Sequence, residues 1–213
     1  MLTELVFILD KSGSMGGLEK DTIGGYNSML EKQKAVEGEC RITTALFDNN
    51  YELLHDRIDI NAVNPITEKE YYVGGMTALL DAIGMTINKI INVQKNTAEN
   101  YRANKVMFVI ITDGEENSSR EFSPEKVKAL IEQQKTEYNW EFVFLGANID
   151  AVKTAGRFGI GADRAVDYLA DATGTALNFK ALSGAISEYR LRSSISAAHF
   201  EEIREDVKKR KRK

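Results

Sequence analysis

Apolar residues in this chain follow two rhythms that alternate along its length. Leu5 to Leu9, Val106 to Ile111 and Trp140 to Leu145 are short, nearly unbroken runs rich in branched and aromatic residues. Runs of this kind predict strands buried on both faces. Between them apolar residues recur every three or four positions, as in Leu18, Ile23, Tyr26, Met29 and Leu30, or Leu79, Leu80, Ile83, Ile87 and Ile90. That spacing predicts amphipathic helices. The full reading is a strand at 3–9, a helix near 18–36, strands at 40–47 and 51–58, a helix at 77–95 and a strand at 105–112. A helix from Ser123 to about 137 follows, with Ser123 as N-cap and Pro124 at its first position. A strand at 140–145, a helix near 150–158, a short strand at 164–168 and a long helix at 173–192 complete it. The turn Asp48-Asn49-Asn50 is short enough to demand a hairpin, so 51–58 is an antiparallel edge strand. This order predicts an α/β, Rossmann-like, doubly wound sheet of about six mostly parallel strands, with helices on both faces.

Length and composition narrow the class. The 213 residues, 43% hydrophobic and 28% charged, suit one globular domain rather than a disordered chain. With two prolines and no Gly/Ser-rich linker, the reading is one domain over 1–195, then a charged helical end and basic tail over 196–213. The single cysteine, Cys40, opens a strand and is expected to be buried; no intrachain disulfide can form, which points to a reducing compartment. The N-terminus has no basic region before its apolar run, and that run is too short for a signal or a membrane span. A cytoplasmic protein without a membrane segment is expected.

Chemistry concentrates where apolar runs stop. The first ends in Asp10-Lys11-Ser12-Gly13-Ser14, and another ends in Thr112-Asp113-Gly114. Thr77 follows Gly74 and Gly75 at a helix start. Each could be an ordinary cap or turn residue. Taken together, a carboxylate with neutral oxygens is the ligand chemistry of a hard divalent cation such as Mg²⁺. Ligands of open parallel sheets bind beyond the carboxyl ends of the strands, at the point where strand order reverses. If the strands ending at Asp10 and Asp113 are neighbours, both carboxylates reach that crevice.

The set Asp10-x-Ser12-x-Ser14, then Thr77 after a Gly-Gly pair, then Asp113-Gly114, resembles the metal-ion-dependent adhesion site of von Willebrand factor type A domains. The resemblance extends over roughly residues 3–192 and is most similar to short single-domain versions from bacteria and phages. It implies that Ser12 and Ser14 bind Mg²⁺ (or Mn²⁺) through their hydroxyls, with Thr77 binding directly or through water and Asp10 and Asp113 holding metal-bound waters. It further implies a non-enzymatic domain whose metal accepts an Asp or Glu carboxylate from a partner protein, here unidentified. Met15, Glu115, Glu116 and Asn117 are candidate rim residues for that partner, with Lys11 beside them. Asp81, one turn after Thr77, is expected to support the helix start electrostatically, and Asn148 and Asp150 to act as rim or capping residues.

Rival chemistries have less behind them. A Mg²⁺-dependent phosphoryl-transfer enzyme with Asp10 as nucleophile is the alternative; such loops often carry a second carboxylate where Ser12 stands. No Gly-x-Ser-x-Gly or phosphate-loop motif occurs. The two histidines, His55 and His199, lie far from the serines in sequence and read as surface or packing residues. Residues 208–213 are six consecutive bases, without which the formal charge falls from −4 to −10. They are a solvated end or an electrostatic contact for nucleic acid or an acidic partner.

Overall fold

The computed structural model describes residues 1–211. Its strands are β1 (Leu2–Asp10), β2 (Glu39–Phe47), β3 (Tyr51–Asp59), β4 (Lys105–Thr112), β5 (Glu141–Ala147) and β6 (Ala165–Tyr168). They form one sheet in the order β3-β2-β1-β4-β5-β6. Every ladder is parallel except β2–β3, the hairpin at the edge. The six helices are α1 (Glu19–Lys34), α2 (Leu79–Asn96), α3 (Pro124–Tyr138), α4 (Ala151–Arg157), α5 (Ala172–Arg192) and α6 (Glu201–Arg210). This is the doubly wound α/β architecture that the alternating pattern predicts.

The central strand shows why its sequence is apolar throughout. All nine residues of β1 are buried, and successive side chains enter opposite cores. Leu5, Phe7 and Leu9 pack with Tyr26, Met29 and Leu30 of α1 and Phe179, Leu182 and Ile186 of α5. Val6 and Ile8 face Leu79, Ile83, Ile87 and Ile90 of α2 and Val127 and Ile131 of α3. The pairing of Leu9 with Ile111 aligns the carboxyl ends of β1 and β4 at the point where strand order reverses.

The charged end beyond residue 195 is helical over α6 and rests on the core that α1 and α5 cover, where Phe200 and Ile203 are buried. The apolar positions of this stretch are few and are hidden in sequence by its charge. The basic run is also only partly a free tail. Lys208, Lys209 and Arg210 form the last turn of α6, where cations suit the helix dipole. Arg210 bonds the carboxylates of Asp206 and Asp171, and Lys209 pairs with Glu205. Residues 212–213 of that run lie outside the described residues. No described helix is long and apolar enough to cross a membrane.

His55 is buried on β3, where Nδ1 lies 3.0 Å from Thr44 Oγ1, which also bonds Tyr26 Oη at 2.6 Å. Burial holds its imidazole below the usual histidine range, against an opposing effect of Glu70. The folded protein therefore prefers neutral His55. Its contribution to stability is present above the unfolded-state value of about 6.5 and is lost as pH falls through the lower folded-state value. Chemical denaturation from pH 7 downward is expected to show stability falling below about pH 6.5, with a shallower fall in His55→Gln. Identical slopes for the two proteins would refute this assignment.

Candidate metal centre

The crevice beyond β1 and β4 is built by three loops tied to one another through the backbone. The Gly13 N–H donates to the Gly75 carbonyl at 3.1 Å, and the Gly74 N–H donates to the Lys11 carbonyl at 2.9 Å. Tyr71, fully buried, donates its hydroxyl to the Asp10 carbonyl at 2.5 Å. Gly75 has φ +75°, and an added Cβ would lie 2.2 Å from Asn49 Oδ1, so glycine is needed at this position for both conformation and space.

These ties bring Asp10, Ser12, Ser14 and Asp113 into one hydrogen-bonded group. Asp10 Oδ1 accepts the Ser12 N–H at 2.7 Å, and Oδ2 accepts the Thr112 hydroxyl at 2.6 Å. Ser12 Oγ and Ser14 Oγ are 3.0 Å apart, and Ser14 donates to Asp113 Oδ1 at 2.5 Å. Thr77 stands beside them. A Cβ added at Gly114 would lie 3.0 Å from Ser14 Oγ and 3.1 Å from Thr77 Oγ1, so both hydroxyls face the space that Gly114 leaves open.

The hydroxyls are not spent on helix capping. Ser12 precedes a short 3-10 turn at Gly13–Met15 without a side-chain cap bond. Thr77 stands two residues before α2, whose N-terminal amides are taken by other groups. Glu116 Oε2 accepts the Leu80 N–H, and Ser119 Oγ accepts the Asp81 N–H. The Asn117 side chain accepts the Thr77 N–H at 2.9 Å.

Electrostatically the pocket is costly without a cation. Asp10 and Asp113 are each about 1% exposed. Burial raises both acids above the ordinary carboxylate range, opposed by the hydroxyl and amide bonds they accept; for Asp113 the nearby Asp10 charge adds to the rise. Asp113 Oδ2 is buried with no hydrogen-bond partner among the described residues. A lone carboxylate oxygen, three hydroxyls and no side chain at Gly114 fit a small, hard cation. Among the described residues no group of three His, Cys, Asp or Glu side chains assembles elsewhere to hold a metal.

The rim differs from expectation. Met15 is 2% exposed and belongs to the core, because the 3-10 turn directs it inward. Lys11 is also buried: its amine bonds Glu52 at 2.7 Å and lies 4.2 Å from the centre of the Tyr72 ring. Glu116 is committed internally, since Oε1 accepts the Ser118 and Ser119 N–H groups and Oε2 accepts the Ser119 hydroxyl as well as Leu80. Asn117 is exposed but its side chain is bound to the Thr77 amide, and Glu115 is exposed. Asp81 does more than favour a helix start: it accepts the N–H groups of Arg120, Glu121 and Phe122 and so ties this loop to α2. Asp150 caps α4, as expected. Tyr72 and Met76, missed in the sequence, are 57% and 53% exposed on the loop leading to Thr77. Their only local signal is their position around the glycine pair.

Comparison with solved structures identifies this fold. The chain superposes on a von Willebrand factor type A protein from Catenulispora acidiphila with TM-score 0.58 and 15% identity, covering 86% of this chain and 42% of that one. It matches proximal thread matrix protein 1 of the mussel byssus, a structure with a zinc-occupied MIDAS motif, with TM-score 0.59 and 14% identity, covering 87% and 46%. It matches manganese-loaded Plasmodium vivax TRAP with TM-score 0.59 and 19% identity, covering 82% and 70%. The chain therefore has the von Willebrand factor type A fold. It spans less than half of the Catenulispora and mussel chains. No protein-family model matches the sequence, and a sequence search of curated proteins gives no match.

Glu116→Ala removes four hydrogen bonds at once. It is expected to destabilise the fold by about 2 kcal/mol in denaturant titration, with faster amide exchange at Leu80, Ser118 and Ser119. Unchanged exchange at these amides would contradict the role given to Glu116.

Proposed function

We propose that Asp10, Ser12, Ser14, Thr77 and Asp113 hold a divalent cation, Mg²⁺ or Mn²⁺, and that the domain uses it to bind an Asp or Glu carboxylate of a partner protein. The observation that carries this reading is the unpartnered, buried Asp113 Oδ2 beside three hydroxyls that no helix cap consumes. Ser12, Ser14 and Thr77 would hold the ion with neutral oxygens, while Asp10 fixes the Ser12 backbone and Asp113 orients the Ser14 hydroxyl through the bonds described above. When bound, the ion supplies an electropositive position for an outside acid, which neutral ligands leave largely uncompensated. The zinc and manganese named for the mussel and Plasmodium structures support a divalent ion at such a site.

The surroundings of the crevice suit recognition of a protein. Exposed Tyr72 and Met76 offer apolar area to residues flanking a partner's acid, and exposed Glu115 disfavours a second acid beside it. The phosphoryl-transfer alternative has less support: Asp10 is bonded back into its own loop and to Thr112, and Ser12 stands where such loops often carry a second carboxylate. Cys40, single and buried, is consistent with the cytoplasmic location we assign. A bacterial or phage origin rests on the motif resemblance alone.

Isothermal titration with Mn²⁺ is expected to give one site per chain. Ser12→Ala with Ser14→Ala should abolish it, and Gly114→Ala should weaken it at least tenfold by filling the space shared by Ser14 and Thr77. Metal affinity unchanged in the double variant would sink the proposal.

A further inference from the structure

A second site lies at the other end of the sheet. Between α2 and α3, below the first residues of β4, a hollow of about 630 Å³ opens to the surface. Its volume falls within the range usual for small-molecule sites. Asn88 and Asn92 of α2, Gln133 and Gln134 of α3, and Trp140 before β5 line it. Gln134 and Trp140 are only 3% and 6% exposed. The Gln134 carboxamide and the Trp140 indole both stand in the wall of the hollow. Carboxamides and an indole on the wall of one cavity offer donors and acceptors for the polar edge of a small ligand.

The wall is preorganised and its charge is one-sided. Gln94 bonds Ala103 in both directions, donating to its carbonyl at 3.0 Å and accepting its N–H at 3.1 Å, which fixes the loop that closes the hollow. Trp140 is held by stacking on Phe108, with ring centroids 5.6 Å apart. Lys95 and Arg102 are the charged residues of the lining, and no acid shares it, although the chain has 32 acids against 28 bases. Arg102 spends its Nε on the Thr97 carbonyl, which anchors the guanidinium and leaves its terminal nitrogens for an anion.

We propose that this hollow binds a nucleotide: the base among the carboxamides and Trp140, the phosphate against Lys95 and Arg102. Carboxamides match the donor and acceptor edge of a base in pairs, an aromatic wall suits its face, and the two cations suit phosphate. The site is separate from the crevice at Asp10, so the two proposals stand or fall independently.

Trp140 is the single tryptophan of the chain, so its fluorescence reports on this cavity alone. The full chain would be titrated with AMP, adenosine, ribose 5-phosphate and inorganic phosphate. AMP is expected to change Trp140 emission saturably and to bind at least tenfold more tightly than each of the others. Lys95→Ala with Arg102→Ala, both at exposed positions, should weaken AMP at least tenfold, and Gln134→Met should do the same without altering the urea midpoint. Ser12→Ala should leave AMP affinity unchanged. No saturable response to AMP by fluorescence or calorimetry, equal binding of inorganic phosphate or ribose 5-phosphate, or AMP affinity unmoved in the variants would overturn the proposal.

Discussion

The structure turns on two aspartates buried side by side at the ends of adjacent central strands. Asp10 and Asp113 are nearly without solvent, and no lysine or arginine forms a salt bridge with either among the described residues. Ionised carboxylates in such a place are costly unless a cation or dense hydrogen bonding compensates them. Asp10 is compensated by the Ser12 amide and the Thr112 hydroxyl, while Asp113 keeps one oxygen bare. The neighbouring loops all serve this arrangement. Backbone bonds from Gly13 and Gly74 lock the first two loops together, and Tyr71 fixes the Asp10 carbonyl.

The same logic explains the third loop. Residues 116–122 cap and tether α2 through Glu116, Asn117, Ser119 and Asp81, which lets Thr77 stand upstream with its hydroxyl uncommitted. A helix N-terminus is thereby satisfied from a distant segment instead of by the Thr at its own start. That division of labour separates stability, carried by Glu116 and Asp81, from binding chemistry, carried by Ser12, Ser14 and Thr77.

Much of this was legible in the sequence, for physical reasons. A strand buried on both faces must be apolar at every position, so β1 and β4 announce themselves, and a polar residue ending such a run must lie at the crevice. Gly74-Gly75 before a helical pattern likewise marked Thr77. What escaped were pairings between segments far apart in the chain. Glu116 reads as a solvated loop residue until α2 is placed beside it. Met15 reads as a rim residue until the 3-10 turn carries it inward. Asp171, which holds Arg210 from 39 residues away, gives no local sign that it will anchor a basic run.

The most direct test of the central claim is crystallography of the full chain soaked with Mn²⁺, with data collected for anomalous scattering. The account predicts one strong anomalous peak among Ser12, Ser14, Thr77 and Asp113, lost in the Ser12→Ala and Ser14→Ala double variant. No peak there in well-ordered crystals, or a peak that survives both substitutions, would contradict it.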